Sequence, residues 1–318
     1  MKKIMTFQME DINKTKTLRA IIATVSLVFA IQSHGQIPIG DPIDTVLLRV
    51  EYKMKYIETK EDSTYSEDLY CLNIGKKMSC CYSNVKSYTL EQFPADILKA
   101  IETRKSIDTL KMVGSALQKE MGTYKTFECS VYKNYPKSGF MGSYYMITNG
   151  KISPSSESDH LYNVEEIPSY NWNMEDGDTI ICNYHCQKAS TAYNGRIWNV
   201  YYAPELPFQD GPWKLGGLPG LILKAEDVTK EFCFEAFEIG RPKSIPHVRL
   251  DLISEPSSVY KKAQPDRIKK LIELRYKNVE GYLRLTHGND MVDQLIKMDI
   301  KFDQTPRTAC LIEDMKNN

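Results

Sequence analysis

The residues from 211 to 220 constrain the fold of this chain more than any other stretch. Four glycines and two prolines fall within these ten positions, so a helix is excluded and the backbone needs special conformations at several points. The apolar run Leu221-Ile222-Leu223 follows directly and is typical of a buried strand. The stretch therefore predicts a shaped loop that leads into a central strand.

Most of the chain around this loop has the pattern of strands. Residues 45–56 alternate between apolar and polar side chains, which predicts a strand with one buried face. The runs Leu69–Ile74 and Met78–Ser83 flank Gly75-Lys76-Lys77 and predict a hairpin. Further extended segments are predicted at 124–132, 143–148, 161–165, 179–189, 196–202 and 231–239. The short turns between them favour an antiparallel meander.

Two parts of the chain have helical spacing instead. Apolar residues recur at helical intervals in 88–121, which predicts a helical insertion. Pro265 suits the first position of a helix that we expect to end at Gly281, and the polar residues 289–318 are expected to be peripheral.

Together these patterns predict an α+β fold. We expect a mainly antiparallel curved sheet, with a partly open barrel as one form of it, packed against helices. A β-rich core domain would occupy 43–245, and a helical or irregular C-terminal extension would occupy 246–318.

The N-terminus has the pattern of an export signal. A basic segment up to Arg19 precedes the apolar run 20–31, and Ser33-His34-Gly35 supplies small residues at the positions that a signal peptidase reads. The apolar run is shorter than the roughly 20 residues that span a bilayer. We therefore expect a signal peptide at 1–35, cleavage before Gln36, a periplasmic or secreted protein and no transmembrane anchor after cleavage.

Cleavage would leave 283 residues with 36 basic and 39 acidic side chains. This balance gives no electrostatic reason to expect a nucleic acid as partner.

The central stretch carries a family resemblance. Residues 217–222 read Gly-Leu-Pro-Gly-Leu-Ile, and the blocks 186–189 (Cys-Gln-Lys-Ala), 195–198 (Gly-Arg-Ile-Trp) and 211–215 (Gly-Pro-Trp-Lys-Leu) precede them in order. In these blocks the chain resembles the GLPGLI family of exported bacterial proteins. The resemblance implies export but no established activity, and it supplies no catalytic residue.

The same region offers a candidate apolar groove. Trp213, Leu215 and Leu218 come from the loop, and Trp198 and Arg196 come from the predicted strand before it. The Arg196 guanidinium could stack on a ring or bind a carboxylate of a ligand. The alternative for Arg196 is an ion pair across strands.

The cysteines suggest thiol or disulfide chemistry at Cys182, Cys186 and Cys233. In one continuous strand, residues 182 and 186 would lie about 13 Å apart, which excludes a shared zinc ion or a mutual disulfide unless the chain turns between them. Cys186 could pair with Cys233 or remain a buried thiol. We predict no metal and no cofactor, and we assign no catalytic residue.

These observations favour a non-enzymatic binding or envelope-accessory protein whose partner is an apolar ligand or an envelope protein. One alternative is an enzyme with a thiol or hydrolytic site that no sequence motif shows. Another is a purely structural partner of an outer-membrane complex.

Overall fold

A computed structural model describes residues 41–84, 129–147, 160–242, 251–256, 258–297, 302 and 304–313. The predicted signal peptide at 1–35 and the predicted helical insertion at 88–121 lie outside these residues. The strands are β1 (Pro42–Tyr56), β2 (Ser66–Gly75), β3 (Ser79–Ser83), β4 (Cys129–Lys133), β5 (Phe140–Met146), β6 (His160–Glu166), β7 (Asn173–Ile181), β8 (Tyr184–Tyr193), β9 (Arg196–Ala203), β10 (Leu221–Asp227), β11 (Phe232–Gly240), β12 (Leu252–Ser254) and β13 (Lys261–Lys262). The helices are α1 (Pro265–Lys277), α2 (Val279–His287) and α3 (Asn289–Lys297).

One large sheet of 13 strands dominates the described residues. Its order is β13-β6-β5-β4-β3-β2-β1-β11-β10-β9-β8-β7, with β12 paired to β1 off this path. The pair β13 and β6 is parallel, so the sheet is mixed. Because β13 and β7 are its two ends, the sheet is open. The predicted α+β class with a partly open barrel is therefore wrong: a single open sheet forms the body of the molecule, and the three helices are short.

The first strand is buried on both faces, although its sequence pattern indicates only one buried face. Val50, Tyr52 and Met54 point into the main core, as their alternation predicts. Arg49 and Glu51 on the opposite face are buried too, so the prediction of one buried face is wrong here. A second, smaller core covers that face, and its members are Val46, Cys71, Met78, Cys80, Tyr82, Tyr132, Tyr144 and Ile253.

The predicted hairpin is present, and one of the predicted extended segments is interrupted by a turn. β2 and β3 pair antiparallel as expected, and adjacent cysteines separate between the faces, since Cys80 joins the second core and Cys81 the main core. The predicted extended run 179–189 is instead the end of β7, a turn and the start of β8. The turn is made by Cys182 and Asn183, whose φ angles are 50° and 66°.

The edge strand β7 is irregular. Its register with β8 shifts between Glu175 and Asp178, where Gly177 adopts a φ of 127°. Such a bulge bends an edge strand and increases its local twist.

The helical part begins where the sequence predicts. Pro265 stands in the first turn of α1, where its missing N–H costs nothing. The predicted end at Gly281 is wrong, because α1 stops at Lys277 and Asn278 starts α2 by accepting a hydrogen bond from the Gly281 N–H at 2.8 Å.

The C-terminal segment belongs to the core. Val292, Cys310 and Ile312 are buried in the main core, so the expectation that 289–318 is peripheral is wrong for these residues. A bridge between Thr59 and Ala309 holds the segment beside the end of β1.

The glycine-rich loop leads into β10 in the middle of the sheet, between β9 and β11. Gly220 passes so close to β9 that a Cβ atom there would lie 2.4 Å from the carbonyl oxygen of Ala203. The Tyr52 hydroxyl donates to the carbonyl of Ile222 at 2.7 Å and fixes the start of β10. The predicted role of the loop, to bring an apolar strand into the sheet, matches this placement.

We expect the substitution Gly220→Ala to destabilise the protein by about 1–3 kcal/mol or more, because the added methyl group meets main chain that cannot move aside. Chemical denaturation with urea measures the change. The control is Gly240→Ala at the end of β11, where an added Cβ has no atom within 4 Å. Equal unfolding midpoints for the two variants would contradict this account of the loop.

Candidate functional site

The residues predicted to line an apolar groove lie inside the protein. Trp198, Trp213 and Leu215 are fully buried, and Leu218 is almost so. The rings of Trp198 and Trp213 contact each other with centroids 5.6 Å apart. These four side chains therefore fill the main core and present no groove to a ligand.

Arg196 forms the ion pairs that were the alternative to ligand binding. Its Nη1 atom lies 2.7 Å from Asp227 Oδ2 and 2.8 Å from Glu231 Oε2. The Arg196 guanidinium also donates to the carbonyl oxygen of Leu311. Arg196 thus joins the β10–β11 turn to the C-terminal segment, and the sequence had no signal for the Leu311 contact.

The cysteines are free thiols, including Cys182, Cys186 and Cys233. Cys186 is buried, and burial raises the pKa of its thiol to about 11. Burial, with the nearby Glu226 carboxylate, likewise raises the pKa of Cys233 to about 11. Within the described residues, no three His, Cys, Asp or Glu side chains come together as metal ligands.

A buried lysine, Lys133, binds the glycine-rich loop. Lys133 at the end of β4 donates from Nζ to Asp210 Oδ1 at 2.5 Å and to the carbonyl oxygens of Gly211 and Leu215 at 2.7 Å each. A loop with this many turns leaves carbonyl groups without strand partners, and buried carbonyls need donors. Lys133 supplies them, and Trp172 Nε1 adds another to Gly216 at 3.0 Å.

A second buried lysine connects the glycine-rich loop to β6 and to the C-terminal segment. The side chain of Lys214 is fully buried, and its Nζ atom pairs with Glu165 and, at 2.8 Å, with Glu313 Oε1. The Tyr145 hydroxyl donates to the same Glu313 oxygen at 2.8 Å. Burial alone would lower the pKa of Lys214, but the carboxylates of Glu313 and Glu165 outweigh that effect and raise it. We call these four residues the Lys214 cluster.

A cavity of about 50 Å³ opens beside the Lys214 cluster. Its lining includes Tyr145 and Glu313 from the cluster, and Asn163 from β6. The rest of the lining is mostly apolar and comes from α1 and the C-terminal segment: Pro265, Ile268, Lys269, Ile272, Leu311 and Ile312.

The Glu313 carboxylate beside the cavity has one oxygen atom without a partner. Glu313 is buried, with 8% of its surface exposed, and its Oε2 atom has no hydrogen-bond partner. Buried polar atoms are normally paired, and this oxygen atom is an exception. The cavity therefore combines a polar end, from Tyr145 and Glu313, with an apolar wall, from Ile268, Ile272 and Ile312.

Sequence reasoning missed most of this site. Glu165 ends one of the predicted extended segments and belongs to no recognised motif, and Glu313 lies in the segment expected to be peripheral. One signal was available: Lys214 stands between Trp213 and Leu215 in an apolar run, and a charge among residues of that kind needs a buried partner.

We expect the substitution Lys214→Met to destabilise the protein by about 3–5 kcal/mol, because it leaves the buried Glu313 carboxylate without its counter-charge. Urea denaturation at neutral pH measures the loss. The control is Lys224→Met, which removes a lysine from the more exposed pair with Glu235 and should change the unfolding free energy by less than about 1 kcal/mol. Similar losses for both variants would show that the Lys214 cluster contributes no special stability.

We expect Cys186 to resist alkylation in the folded protein at pH 8 and to react after unfolding in urea, because its thiol is both buried and weakly ionised. Iodoacetamide labelling followed by peptide mass spectrometry checks this residue by residue. The same sample unfolded in urea controls for reagent quality, because Cys186 is then accessible to the reagent. Rapid labelling of Cys186 in the native state would favour a thiol enzyme.

Among the described residues, no helix has both the length and the apolar character that crossing a bilayer requires.

Comparisons with known proteins give little guidance. No protein-family model and no curated protein matches the chain. Among solved structures, the chain is similar to one described as PNGF-II in the C2 space group, with a TM-score of 0.42 and 14% identity over 72% of this chain and 33% of that one. PNGF-II in the P21 space group gives a TM-score of 0.41 with the same identity and coverage. The chain thus spans about a third of the length of these structures, and a similarity of this size supports no inference about function.

Proposed function

We propose that this chain is an exported protein of the GLPGLI type, periplasmic or secreted, that binds a small ligand in the cavity beside the Lys214 cluster. Export is supported by the basic segment before Arg19, the apolar run 20–31 and the small residues before Gln36. The family resemblance rests on the blocks from Cys186 to Ile222. Both are proposals from the sequence.

The cavity is the observation that carries the binding role. Ligand sites are concave and largely apolar, with a few polar groups that fix orientation. Here Ile268, Ile272 and Ile312 supply apolar surface, and Glu313 and Tyr145 supply the polar end. The proposed ligand is apolar, as the sequence predicts. Its proposed site is the cavity beside α1 and not the glycine-rich loop.

The cavity limits what can enter. A water molecule occupies roughly 10–15 Å³ on this measure, so 50 Å³ admits a group of about three or four non-hydrogen atoms. The ligand therefore inserts only one end, or is itself very small. Because even the best small ligands gain at most about 1.5 kcal/mol per atom, an isolated fragment would bind with a dissociation constant no tighter than roughly tens of micromolar.

A hydrolytic enzyme is the second candidate, since Glu165, Glu313 and Tyr145 include groups able to exchange protons. Acid–base catalysis requires such a group within reach of the substrate. In this site Lys214 binds both carboxylates, and the Tyr145 hydroxyl is used by Glu313. This mutual pairing favours binding over proton transfer. A thiol enzyme is disfavoured by the raised pKa of Cys186.

The third candidate, a structural partner of an outer-membrane complex, makes no use of the cavity. Affinity purification from an envelope fraction separates the two roles. It compares the wild-type chain with the variant Ile268→Phe, whose larger side chain fills the cavity. A stable complex that forms equally with both would favour the structural role.

We expect three-carbon probes to bind in the cavity of the wild-type protein and not in the variant Ile268→Phe, whose larger ring fills the space. Titration with propylammonium, 1-propanol and propionate, observed through the isoleucine methyl NMR signals, detects binding and locates it at Ile268, Ile272 and Ile312. The control Ile180→Phe changes a residue on β7 that is 63% exposed. If none of the three probes moves these methyl signals in the wild type, the binding role is wrong.

A further inference from the structure

We propose that the outer edge of β7 binds an extended segment of a basic polypeptide, which adds to the sheet as a further strand. This inference does not use the cavity, and it goes beyond the proposed ligand-binding role. The partner is a polypeptide chain with lysine or arginine side chains, not a small molecule.

The first argument is the backbone of β7. Within the part of the chain that the structure describes, β7 pairs with β8 on one side and ends the sheet on the other. In an antiparallel pair, alternate residues direct their N–H and C=O groups towards the partner strand, and the residues between them direct theirs away. These outward groups can pair with another strand, and peptides are often bound at a sheet edge in this way.

The second argument is access. Eight of the nine residues of β7 are at least partly exposed, and only Ile181 at its end is buried. Two of the exposed side chains are large and apolar, because Met174 is 59% and Ile180 is 63% exposed. A strand that paired with β7 would cover part of this apolar surface as well as the backbone groups.

The register of β7 assigns the pairing to its second half. The shift between Glu175 and Asp178 interrupts the pairing with β8, and a bulge of this kind disrupts the regular ladder. From Asp178 to Ile181 the register is continuous. Because side chains alternate between the two faces of a strand, Asp178 and Ile180 lie on the same face. A strand paired here would place one side chain beside Asp178 and another beside Ile180.

The third argument is charge, which decides the kind of partner. Glu175 is neutralised by Lys188, whose Nζ atom lies 2.6 Å from its Oε2 atom. Asp176 and Asp178 are both exposed, and neither pairs with a basic side chain of the described residues. Opposite charges across neighbouring strands stabilise their pairing, and like charges oppose it. The edge therefore selects a basic strand and disfavours an acidic one.

These observations define a pattern for the bound segment. A lysine or arginine stands beside Asp178, and an apolar residue stands two positions away, beside Ile180. Further basic residues are suited to Asp176 in the bulge. The segment has no proline at the positions that pair with β7, because proline lacks the N–H group that the ladder needs.

The first test compares two peptides on the full chain, by titration of the backbone amide NMR signals of residues 173–181. The basic peptide has the sequence Ser-Lys-Thr-Val-Thr-Lys-Ser, and glutamate replaces both lysines in the acidic peptide. We expect the basic peptide to bind at least tenfold more tightly and to shift the signals of residues 178–181. In the double variant Asp176→Asn, Asp178→Asn, its preference over the acidic peptide should fall to less than threefold.

The matched control is the double variant Asp41→Asn, Glu67→Gln. It also removes two negative charges, but Asp41 precedes β1 and Glu67 lies on β2, which five strands separate from β7. The preference for the basic peptide should stay at its wild-type value. An equal loss of preference in both double variants would overturn the assignment to β7.

The second test distinguishes strand pairing from simple attraction between charges. Two versions of the basic peptide carry N-methyl groups, each on a different alternate set of backbone amides. Only one set faces β7 in a paired strand, so one version should bind at least tenfold more weakly and the other should change less than threefold. Equal effects of the two methylation patterns would overturn the proposal.

The remaining outcomes concern other occupants of the edge. Equal binding of the basic and acidic peptides, or shifts only outside β7, would overturn the proposal while leaving the cavity and its proposed ligand unaffected. Sedimentation velocity of the protein alone should show a monomer. A dimer that the variant Asp176→Asn, Asp178→Asn disperses would show that a second copy occupies the edge, which would overturn the assignment to a separate basic polypeptide.

Discussion

The ammonium group of Lys214 is the point on which the assembly of this molecule depends. It sits where water does not reach, and a charge in that position is tolerated only with close counter-charges. Those counter-charges come from β6 and from the C-terminal segment, through Glu165 and Glu313. Three parts of the chain that are far apart in sequence therefore meet at this one group.

The glycine-rich loop is held by the same principle applied twice. Lys214 anchors the loop to Glu165 and Glu313, and Lys133 donates to the carbonyl oxygens of Gly211 and Leu215. The glycines and prolines give the loop its shape, but the two lysines fix that shape in the sheet. The apolar residues between them, Trp213 and Leu215, are buried as a consequence.

The sequence allows much of the sheet to be predicted, because period-two alternation and turn residues are local. β1, the β2–β3 hairpin and β9 to β11 follow from such patterns. The burial of Arg49 and Glu51 does not, because it depends on a second core contributed by distant strands. The turn at Cys182 and Asn183 was missed because neither residue is a glycine or proline, although Asn tolerates a positive φ.

Local sequence patterns could not predict the candidate site, for a related reason. Its polar end needs Tyr145, Lys214 and Glu313, which lie far apart in sequence and meet only when the sheet and the C-terminal segment have packed together. Predicted aromatic residues such as Trp198 turned out to be core, since large apolar side chains near a shaped loop are favoured in either environment. The polar residues that line the cavity are Tyr145, Asn163, Lys269 and Glu313.

The irregular end of the sheet at β7 has a consequence for how copies of this protein meet. An exposed edge strand offers unpaired backbone groups to any neighbouring chain. Here Glu175, Asp176 and Asp178 cluster around the bulge, so two such edges brought together would face each other with like charges and mismatched backbone spacing. The bulge and its carboxylates therefore disfavour the pairing of β7 with the β7 strand of a second copy.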